Sequence, residues 1–277
     1  MKIRLSVIFF SLSFLFSVKF SVLTYNIHAL SPIFAGDKPK KRIVDILNGS
    51  RDYDVILFQE NWIFSESDLS VGLGNHQIYI SSKSKFSDLV KHLINSNGSG
   101  LTLVAKEGLS ILDVSEISFD NCSGWISKSN DCLATKGFQH TSVQIEGERL
   151  DLYNTHLDAG GSEDDRDVRS TQIKSLVDYI KEHSVDCALI VAGDLNINLL
   201  DEDGRELIVG LTEDLNMSNV DWYSDSFGYP WALDYILFRG SRSLELSLVR
   251  GGVDLTLLGL SDHPPLKAVF DVKKRLE

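Results

Sequence analysis

The chain has 277 residues, 43% of them hydrophobic and 24% charged, and its formal net charge is −12. This composition is ordinary for a globular protein and shows neither a low-complexity segment nor an internal repeat. The acidic balance argues against a protein that holds nucleic acid by its phosphates, since such binding relies on Lys and Arg. It does not exclude an enzyme that contacts a polyanion briefly through a metal ion.

The N-terminus has the pattern of a signal peptide. Lys2 and Arg4 precede an uncharged apolar run over residues 5–18, which is shorter than the roughly 20 residues that a membrane-spanning helix needs. We therefore predict a signal peptide over residues 1–17, one domain over residues 18–277, and a secreted or periplasmic protein. An uncleaved anchor and an apolar first strand are the alternatives.

Cysteine usage agrees with export. The chain has three cysteines, and Cys122 and Cys132 lie ten positions apart around a stretch rich in Gly, Ser and Asn. In an oxidising compartment these two are the plausible disulfide pair. Cys187 begins an apolar run and is predicted to be a buried free thiol. No Cys/His spacing indicates a zinc site.

Strand-like and helix-like segments alternate along the chain. Strands are predicted over residues 20–26, 54–60, 76–80, 100–105, 109–117, 137–145, 149–155, 188–194, 233–238, 244–249 and 266–272. Helices are predicted over residues 38–47, part of 65–73, 86–95, 165–183 and 204–211. A single parallel sheet would need more crossover helices than these, so two packed sheets with helices outside are favoured.

The clearest helix is the one over residues 165–183. Ile173, Leu176, Val177 and Ile180 are spaced i, i+3, i+4 and i+7, which places one apolar stripe toward a core. Ser162, or an Asp at position 164 or 165, can cap its N-terminus.

Polar residues of a few types follow or precede the strongest apolar strands. Any one of them has a simple explanation, because Asp and Asn are common turn residues. The stretch LIVAGDLNIN places Asp194 and Asn196 two positions apart, which predicts a shared strand face. The full set is Asn26, Glu60, His156, Asp194, Asn196, Asp234, Asp262 and His263.

Together these residue types indicate metal-assisted hydrolysis. Carboxylate and amide oxygens suit Mg²⁺, with Mn²⁺ or another divalent ion as the alternative, better than zinc. Histidines with acidic neighbours suit general acid–base work or stabilisation of charge on a phosphate. A metal that polarises a phosphoryl oxygen and a base that takes the proton of water complete the chemistry.

The ordered motifs Asn26, Glu60, THLDAG, GDLN, LDY and SDHPPL resemble those of the endonuclease/exonuclease/phosphatase superfamily, the pancreatic-deoxyribonuclease-like fold. The resemblance covers residues 19–273. It implies an α/β fold, namely a four-layer α/β/β/α sandwich of two mostly antiparallel sheets flanked by helices. This agrees with the sandwich predicted from the strand and helix pattern.

The resemblance also implies metal ligands. Glu60 would be the principal Mg²⁺ ligand with Asn26 beside it, and Asp262 would assist at the metal or at the base.

It implies catalytic roles for the remaining residues. His263 would be the general base that activates water, and Asp234 would orient it. His156 would bond a phosphate oxygen. Asp194 and Asn196 would contact the scissile phosphate, the attacking water or a second metal.

Within the superfamily, secreted and neutral sphingomyelinases look most similar. The stretch DCLATKGFQHTSVQI would place Lys136 near the substrate phosphate, and an ordinary turn lysine is the alternative. Arg169 and Gln172 would support the site by packing. One departure is that residues 240–260 are short and lack the aromatic-tipped hairpin of haemolytic bacterial members.

An aromatic cluster occurs elsewhere, in the stretch WYSDSFGYPW. Its five aromatic residues would contact lipid or ligand, or would pack a loop over the sandwich edge. They are Trp222, Tyr223, Phe227, Tyr229 and Trp231.

We therefore expect a Mg²⁺-dependent phosphodiesterase of sphingomyelinase type, acting as a monomer on a phosphodiester such as a membrane lipid headgroup, without stable binding of nucleic acid. The alternatives are a secreted deoxyribonuclease-like endonuclease, an inositol-phosphate phosphatase and a non-catalytic binding module on the same fold.

Overall fold

Two sheets packed face to face form the centre of the molecule. The computed structural model describes residues 17–30, 38–82, 98–123, 132, 135–222 and 229–275. The predicted signal segment up to residue 16, the predicted helix 86–95, Tyr223 and Phe227 lie outside the described residues.

Twelve strands are present in the described part of the chain, eleven of them at or near the predicted positions. They are β1 Val18–Ala29, β2 Val55–Asn61, β3 Gln77–Ile80, β4 Thr102–Ala105, β5 Ser110–Ser118, β6 Gly137–Ile145, β7 Glu148–His156, β8 Ala188–Asp194, β9 Ser218–Asn219, β10 Asp234–Arg239, β11 Leu244–Val253 and β12 Leu266–Lys274. Sheet one has the order β11-β12-β1-β2-β4-β3, and sheet two has the order β5-β6-β7-β8-β10-β9.

Four helices flank the sheets in the described residues. They are α1 Pro39–Ser50, α2 Glu66–Leu73, α3 Glu163–His183 and α4 Glu202–Leu215. The helix α3 begins with a capping box, in which the Ser162 side chain accepts from Asp165 N and the Asp165 side chain accepts from Ser162 N. This arrangement satisfies two backbone donors and confirms Ser162 as the cap.

Each sheet contains one parallel pair, β1 with β2 and β7 with β8, and the other pairs are antiparallel. Parallel neighbours need a crossover, and α1 and α3 are the helices of these two crossovers. The C-terminal ends of all four parallel strands carry polar residues, as the sequence predicted.

Three apolar clusters make up the layers. One lies between the sheets and includes Val22, Leu57 and Leu152. A second joins sheet two to α3 and α4 and includes the predicted stripe of α3. A third joins sheet one to α1 and α2. The predicted four-layer α/β/β/α sandwich of two mostly antiparallel sheets is confirmed.

The cysteines behave as predicted in one respect and differ in another. Cys122 and Cys132 form a disulfide, which confirms the predicted pair. Cys187 is a free thiol but is only half-buried, because it precedes β8 at the point where that strand reaches the surface. Among the described residues, no helix combines the length and the apolarity needed to cross a membrane.

A buried carboxylate ties α3 to sheet two. Asp151 is fully buried and accepts hydrogen bonds from Ser142 Oγ (2.7 Å), Arg149 Nε (2.7 Å) and Ser184 Oγ (2.6 Å), while His140 Nε2 lies 3.4 Å away. Burial alone would raise the pKa of Asp151, but these donors lower it to about 2. The ionised form is therefore the one that the fold stabilises.

Replacing Asp151 with asparagine is expected to destabilise the protein by about 1–3 kcal/mol at pH 7, since an amide cannot accept all of these bonds. Because the folded pKa is depressed, the stabilisation is present above about pH 4 and is lost as pH falls toward 2. Urea unfolding between pH 2 and pH 7 measures both effects. Asp113→Asn, at an exposed position on β5, is the control. Equal loss in the two variants would contradict this role for Asp151.

Candidate active site

The polar ends of the parallel strands meet at one edge of the sandwich. Asn26 on β1 and Glu60 on β2 come from sheet one, and His156 and Asp194 end β7 and β8 of sheet two. Asp234 begins β10 directly opposite Asp194 in the antiparallel register. Residues far apart in the chain are thus brought together by the topology, as parallel strands end at the same edge.

Asn26 connects the two sheets at this edge. Its Nδ2 donates to Glu60 Oε1 at 3.1 Å and to Asp194 Oδ2 at 3.0 Å, and its Oδ1 accepts from His28 N at 3.0 Å. Asn26 and Asp194 are almost fully buried. One amide therefore holds two carboxylates, one from each sheet, at a fixed separation.

Burial and nearby hydrogen-bond donors shift the pKa of Glu60 in opposite directions. Burial alone would raise its pKa, but the contacts with His28 and the charge at His156 and Lys136 lower the pKa below its ordinary value. Glu60 also has a positive φ of 57°. Positive φ in a non-glycine residue is strained and is held by its surroundings, which is common at functional sites.

His156 and Lys136 form a buried pair beside these carboxylates. Lys136 Nζ donates to His156 Nε2 at 2.7 Å and to Leu157 O at 3.1 Å. An ammonium group has no lone pair, so Nε2 of His156 is the acceptor in this contact. Burial, followed by the charge of Lys136, lowers the pKa of His156 to about 4, which makes the ring neutral near pH 7.

His263 and Asp234 form the second pair. His263 Nδ1 lies 2.9 Å from Asp234 Oδ2, and its Nε2 lies 3.6 Å from Asp194 Oδ2. Burial alone would lower the pKa of His263, but the carboxylates of Asp234 and Asp194 raise it well above the ordinary value. Nδ1 is thus tied to one carboxylate, and Nε2 faces the centre of the site.

The donor set fits a divalent cation. Glu60, His156 and Asp194 form one group whose ligand atoms all lie within 4.8 Å of one another, and Asp194, Asp234 and His263 form another. His156 Nε2 accepts from Lys136 and lies 3.4 Å from Asp194 Oδ2 and 3.9 Å from Glu60 Oε1. Electron-rich atoms that face one another in this way are stabilised by a positive charge between them. Glu60 and Asp194 supply the carboxylate oxygen atoms that Mg²⁺ favours. The predicted ligand Asn26 instead turns its Nδ2 toward both carboxylates, and its Oδ1 accepts from His28 N.

Asn196 is oriented differently from the prediction. The strand β8 ends at Asp194, and Asn196 has a positive φ of 51°, so the two side chains do not share a strand face. Instead, Asn196 N donates to Asp194 Oδ1 at 2.9 Å, and Asn196 Nδ2 donates to Leu157 O at 2.9 Å. Asn196 therefore fixes the rotamer of Asp194 and ties the turn after β8 to the residue after β7.

Gly193 allows β7 and β8 to approach at the site. It has a φ of 143°, and a Cβ atom on it would lie 1.9 Å from Thr155 O. Any side chain there would push the end of β8 away from His156, so only glycine keeps the register that places His156 beside Asp194.

Lys136 and Asp262 differ in their surroundings. Lys136 is 5% exposed, and its Nζ contacts His156. The side chain of Asp262 is 57% exposed and lies at the rim, with its Oδ2 at 3.5 Å from His28 Nδ1.

His28 is a site residue that sequence reasoning missed. Its Nδ1 lies 3.3 Å from Glu60 Oε2, and its φ is 45°. The available signal was its position two residues after Asn26 in the stretch YNIHAL. The bulge that shifts the β1–β2 register between Asn26 and Ala29, however, is not visible in the sequence.

Arg169 and Gln172 pack beside the site as predicted. Arg169 Nη1 donates to Asp158 O (3.0 Å) and Gly160 O (2.8 Å), and Gln172 Nε2 donates to Asp158 Oδ1 (2.7 Å). Both side chains are buried and hold the loop that follows His156 against α3.

The described residues of the aromatic cluster differ in burial and in their hydrogen bonds. Trp222 is buried and its Nε1 donates to Asp234 O at 3.1 Å, while Tyr229 OH donates to His263 O at 3.1 Å. Trp231 is 50% exposed. Trp222 and Tyr229 therefore bind the backbone of Asp234 and His263, and Trp231 faces solvent.

Comparison with known proteins agrees with this geometry. A model of the Endonuclease/Exonuclease/phosphatase family matches residues 23–263. The chain belongs to this family. It is 25% identical over 275 residues to a sphingomyelinase of Mycobacterium bovis, with 91% of this chain and 52% of the relative covered. The chain thus spans about half the length of that relative.

Two further proteins are similar over most of their length. A phospholipase C of Staphylococcus aureus is 22% identical over 294 residues, with 89% of this chain and 86% of the relative covered. The solved structure of a variant of beta toxin from Staphylococcus aureus with bound magnesium ions has a TM-score of 0.69 at 19% identity, covering 91% of this chain and 99% of that chain. This likeness shows a shared fold, and the predicted resemblance to the family is confirmed.

Proposed function

We propose that the protein is a divalent-cation-dependent phosphodiesterase that hydrolyses a phospholipid headgroup of the sphingomyelin type. The observation that carries the proposal is the convergence of Glu60, His156, Asp194 and the His263–Asp234 pair at one sheet edge. The similarity to proteins named sphingomyelinase and phospholipase C supports a lipid substrate.

His263 would act as the general base. In its neutral form, Nε2 accepts a proton from the attacking water while Nδ1–H donates to Asp234. The carboxylates of Asp234 and Asp194 then stabilise the charged ring, which is why the pKa of His263 is raised. Asp234, tied by Trp222 through its backbone, would keep the ring in the orientation that points Nε2 at the reacting centre.

Lys136 and His156 would bind the phosphate. Lys136 donates to His156 Nε2 next to Asp194, and the positive charge of Lys136 favours a phosphoryl group in this place. Asn196 would hold Asp194 in its rotamer while substrate enters.

A cation would be held by Glu60, with Asp194 adjacent and Asp262 at the rim, and Asn26 would keep the two carboxylates in place. When bound, it would polarise the phosphoryl oxygen and stabilise the leaving oxygen. We propose Mg²⁺ because it favours carboxylate oxygen atoms, with Mn²⁺ or another divalent ion as the alternative. The bound magnesium of the beta-toxin structure supports this choice.

The pH dependence follows from the raised pKa of His263. Only the neutral ring accepts a proton, so kcat/KM is expected to rise with pH through that pKa. Asp234→Asn removes the charge that contributes most to raising it, so the acidic limb should move to lower pH while kcat falls. The pH profiles of wild-type protein and Asp234→Asn measure both changes. An acidic limb that stays in place in the variant would contradict this coupling.

A panel of substrates tests the proposal. Purified protein is incubated with sphingomyelin vesicles, plasmid DNA and inositol phosphates, each with Mg²⁺, Mn²⁺ or EDTA. We expect release of phosphocholine that EDTA stops and Mg²⁺ restores. Nicked plasmid or free phosphate without lipid hydrolysis would instead establish a nuclease or a phosphatase, and no turnover would favour a binding module. The His263→Ala protein, purified identically, controls for contaminating enzymes.

We also propose that residues 1–17 direct export, that residues 18–277 are the catalytic domain, and that the secreted or periplasmic protein is a monomer. N-terminal sequencing of the exported protein tests where the signal segment ends and the mature domain begins. Light scattering of the purified protein tests whether it is a monomer. A mature chain that begins at Met1 would overturn the signal-peptide assignment.

A further inference from the structure

Arg42 on α1 contacts two segments that carry different parts of the active site. Its Nη1 donates to Ile27 O at 2.5 Å and to Leu260 O at 3.0 Å, and its Nη2 donates to His28 O at 2.6 Å. The Arg42 side chain is half-buried. These three bonds go to backbone oxygen atoms.

The first segment is the bulged end of β1. Asn26, which holds Glu60 and Asp194, lies immediately before Ile27. The register with β2 shifts between Asn26 and Ala29, and His28 has a φ of 45° within this bulge. This strained backbone places the His28 ring beside Glu60. A residue that holds the Ile27 and His28 carbonyls in place therefore also positions the cation-holding group, which we define as Glu60 and Asp194.

The second segment is the loop before β12. Leu260 lies in this loop, followed by Asp262 and His263. No strand pairing of the described residues joins this loop to the bulge of β1. One guanidinium therefore spans the junction between the bulged end of β1 and the loop that carries the base. A second, weaker link is the bond from Tyr25 OH to Leu257 O at 3.2 Å.

We propose that Arg42 is a positioning residue that sets the spacing between the cation-holding group and His263. The inference rests on the proposed function. Only an arginine has the geometry for this task, since a planar fork with five donors reaches several carbonyls at once, whereas a lysine is a single flexible point charge. The matched variant is therefore Arg42→Lys, which keeps the charge and loses the fork.

Arg239 is a control, because its guanidinium also binds backbone carbonyls but lies at the end of sheet two away from the active site. Its Nη1 donates to Leu215 O at 2.6 Å and its Nη2 donates to Ser184 O at 3.0 Å, at the C-terminal ends of α4 and α3. It is at the opposite end of β10 from Asp234. Arg239→Lys therefore measures the effect on stability of losing a guanidinium that bonds backbone carbonyls, without a change at the active site.

The experiment compares the two lysine variants with the wild-type protein below their melting temperatures. Both variants are expected to lower Tm. Only Arg42→Lys should reduce kcat by about 10–100-fold, because small displacements of reacting groups have effects of this size. Its KM should change by less than about threefold. Without substrate, the Mg²⁺ or Mn²⁺ concentration that gives a half-maximal rise in Tm should increase about tenfold, since such supporting contacts tune metal affinity.

The outcomes distinguish a failure of the positioning role of Arg42 from a failure of the proposed phosphodiesterase function. If Arg42→Lys keeps the kcat and the cation response of Arg239→Lys, Arg42 has a structural role alone and the inference is overturned. If the wild-type protein hydrolyses no phosphodiester but Arg42→Lys selectively weakens the cation response, the proposed function fails and the positioning role is supported. If Arg42→Lys does not fold, Tyr25→Phe loosens the same junction more gently. It should lower kcat and cation affinity by a few-fold, and unchanged values would overturn the inference.

Discussion

Replacing His263 with alanine is expected to reduce kcat by about a thousandfold, within the range by which a positioned base accelerates a reaction. His263 Nε2 is the ring nitrogen that faces the centre of the site, because its Nδ1 is held by Asp234. His156 cannot substitute, since its Nε2 already accepts a hydrogen bond from Lys136. The folded structure should remain, because His263 is on a loop and contributes no strand pairing.

Steady-state kinetics on vesicle substrate, together with circular dichroism and Tm, tests this expectation. His183→Ala is the matched control, because His183 is an exposed histidine at the end of α3, just before the start of β8, whereas the site lies at the other end of that strand. Retention of full activity by His263→Ala, with the control also active, would exclude His263 as the base.

Glu60→Gln is expected to have the second large effect, a loss of cation affinity of at least about 100-fold. Glu60 contributes a carboxylate whose pKa is lowered, so it is ionised over the working pH range, and the amide that replaces it carries no charge. The variant keeps the size of the side chain and the bond from Asn26. Its Tm in EDTA should be somewhat lower than that of the wild type, because the charged form of Glu60, whose pKa is lowered by its contacts, is the form that the fold stabilises.

Calorimetric titration with Mg²⁺ and Mn²⁺ and the cation-induced rise in Tm measure this loss. Glu66→Gln, at an exposed position in the first turn of α2, is the control. Wild-type cation affinity in Glu60→Gln would contradict the placement of the cation at Glu60.

Some of the fold follows from local patterns. The apolar run before Asp194 predicted β8 because a buried strand carries few polar residues, and the spacing of Ile173, Leu176, Val177 and Ile180 predicted the helix α3. The strand β9 was missed because Ser218–Asn219 has two residues, too few for any alternation to appear. Its pairing with β10 is set by tertiary contacts.

The candidate site was predictable as a set of residue types but not as a geometry. Asn26 and Asp194 are 168 positions apart, and no local pattern specifies that one amide binds both Glu60 and Asp194. The placement of Asn196 was wrong because the period of a strand does not continue through a residue with positive φ. The role of His28 depends on a bulge, and the burial of Lys136 depends on the packing of β6 against β7, so both required the three-dimensional structure.

The most direct test of the central claim is hydrolysis of sphingomyelin in ¹⁸O-enriched water with Mg²⁺, followed by ³¹P NMR and mass spectrometry of both products. Attack of water on phosphorus, with the proton taken by His263, predicts one ¹⁸O atom in phosphocholine and none in the lipid alcohol. Label in the alcohol would contradict attack at phosphorus, and the absence of cation-dependent product from any phosphodiester would contradict the assignment of this site as a phosphodiesterase.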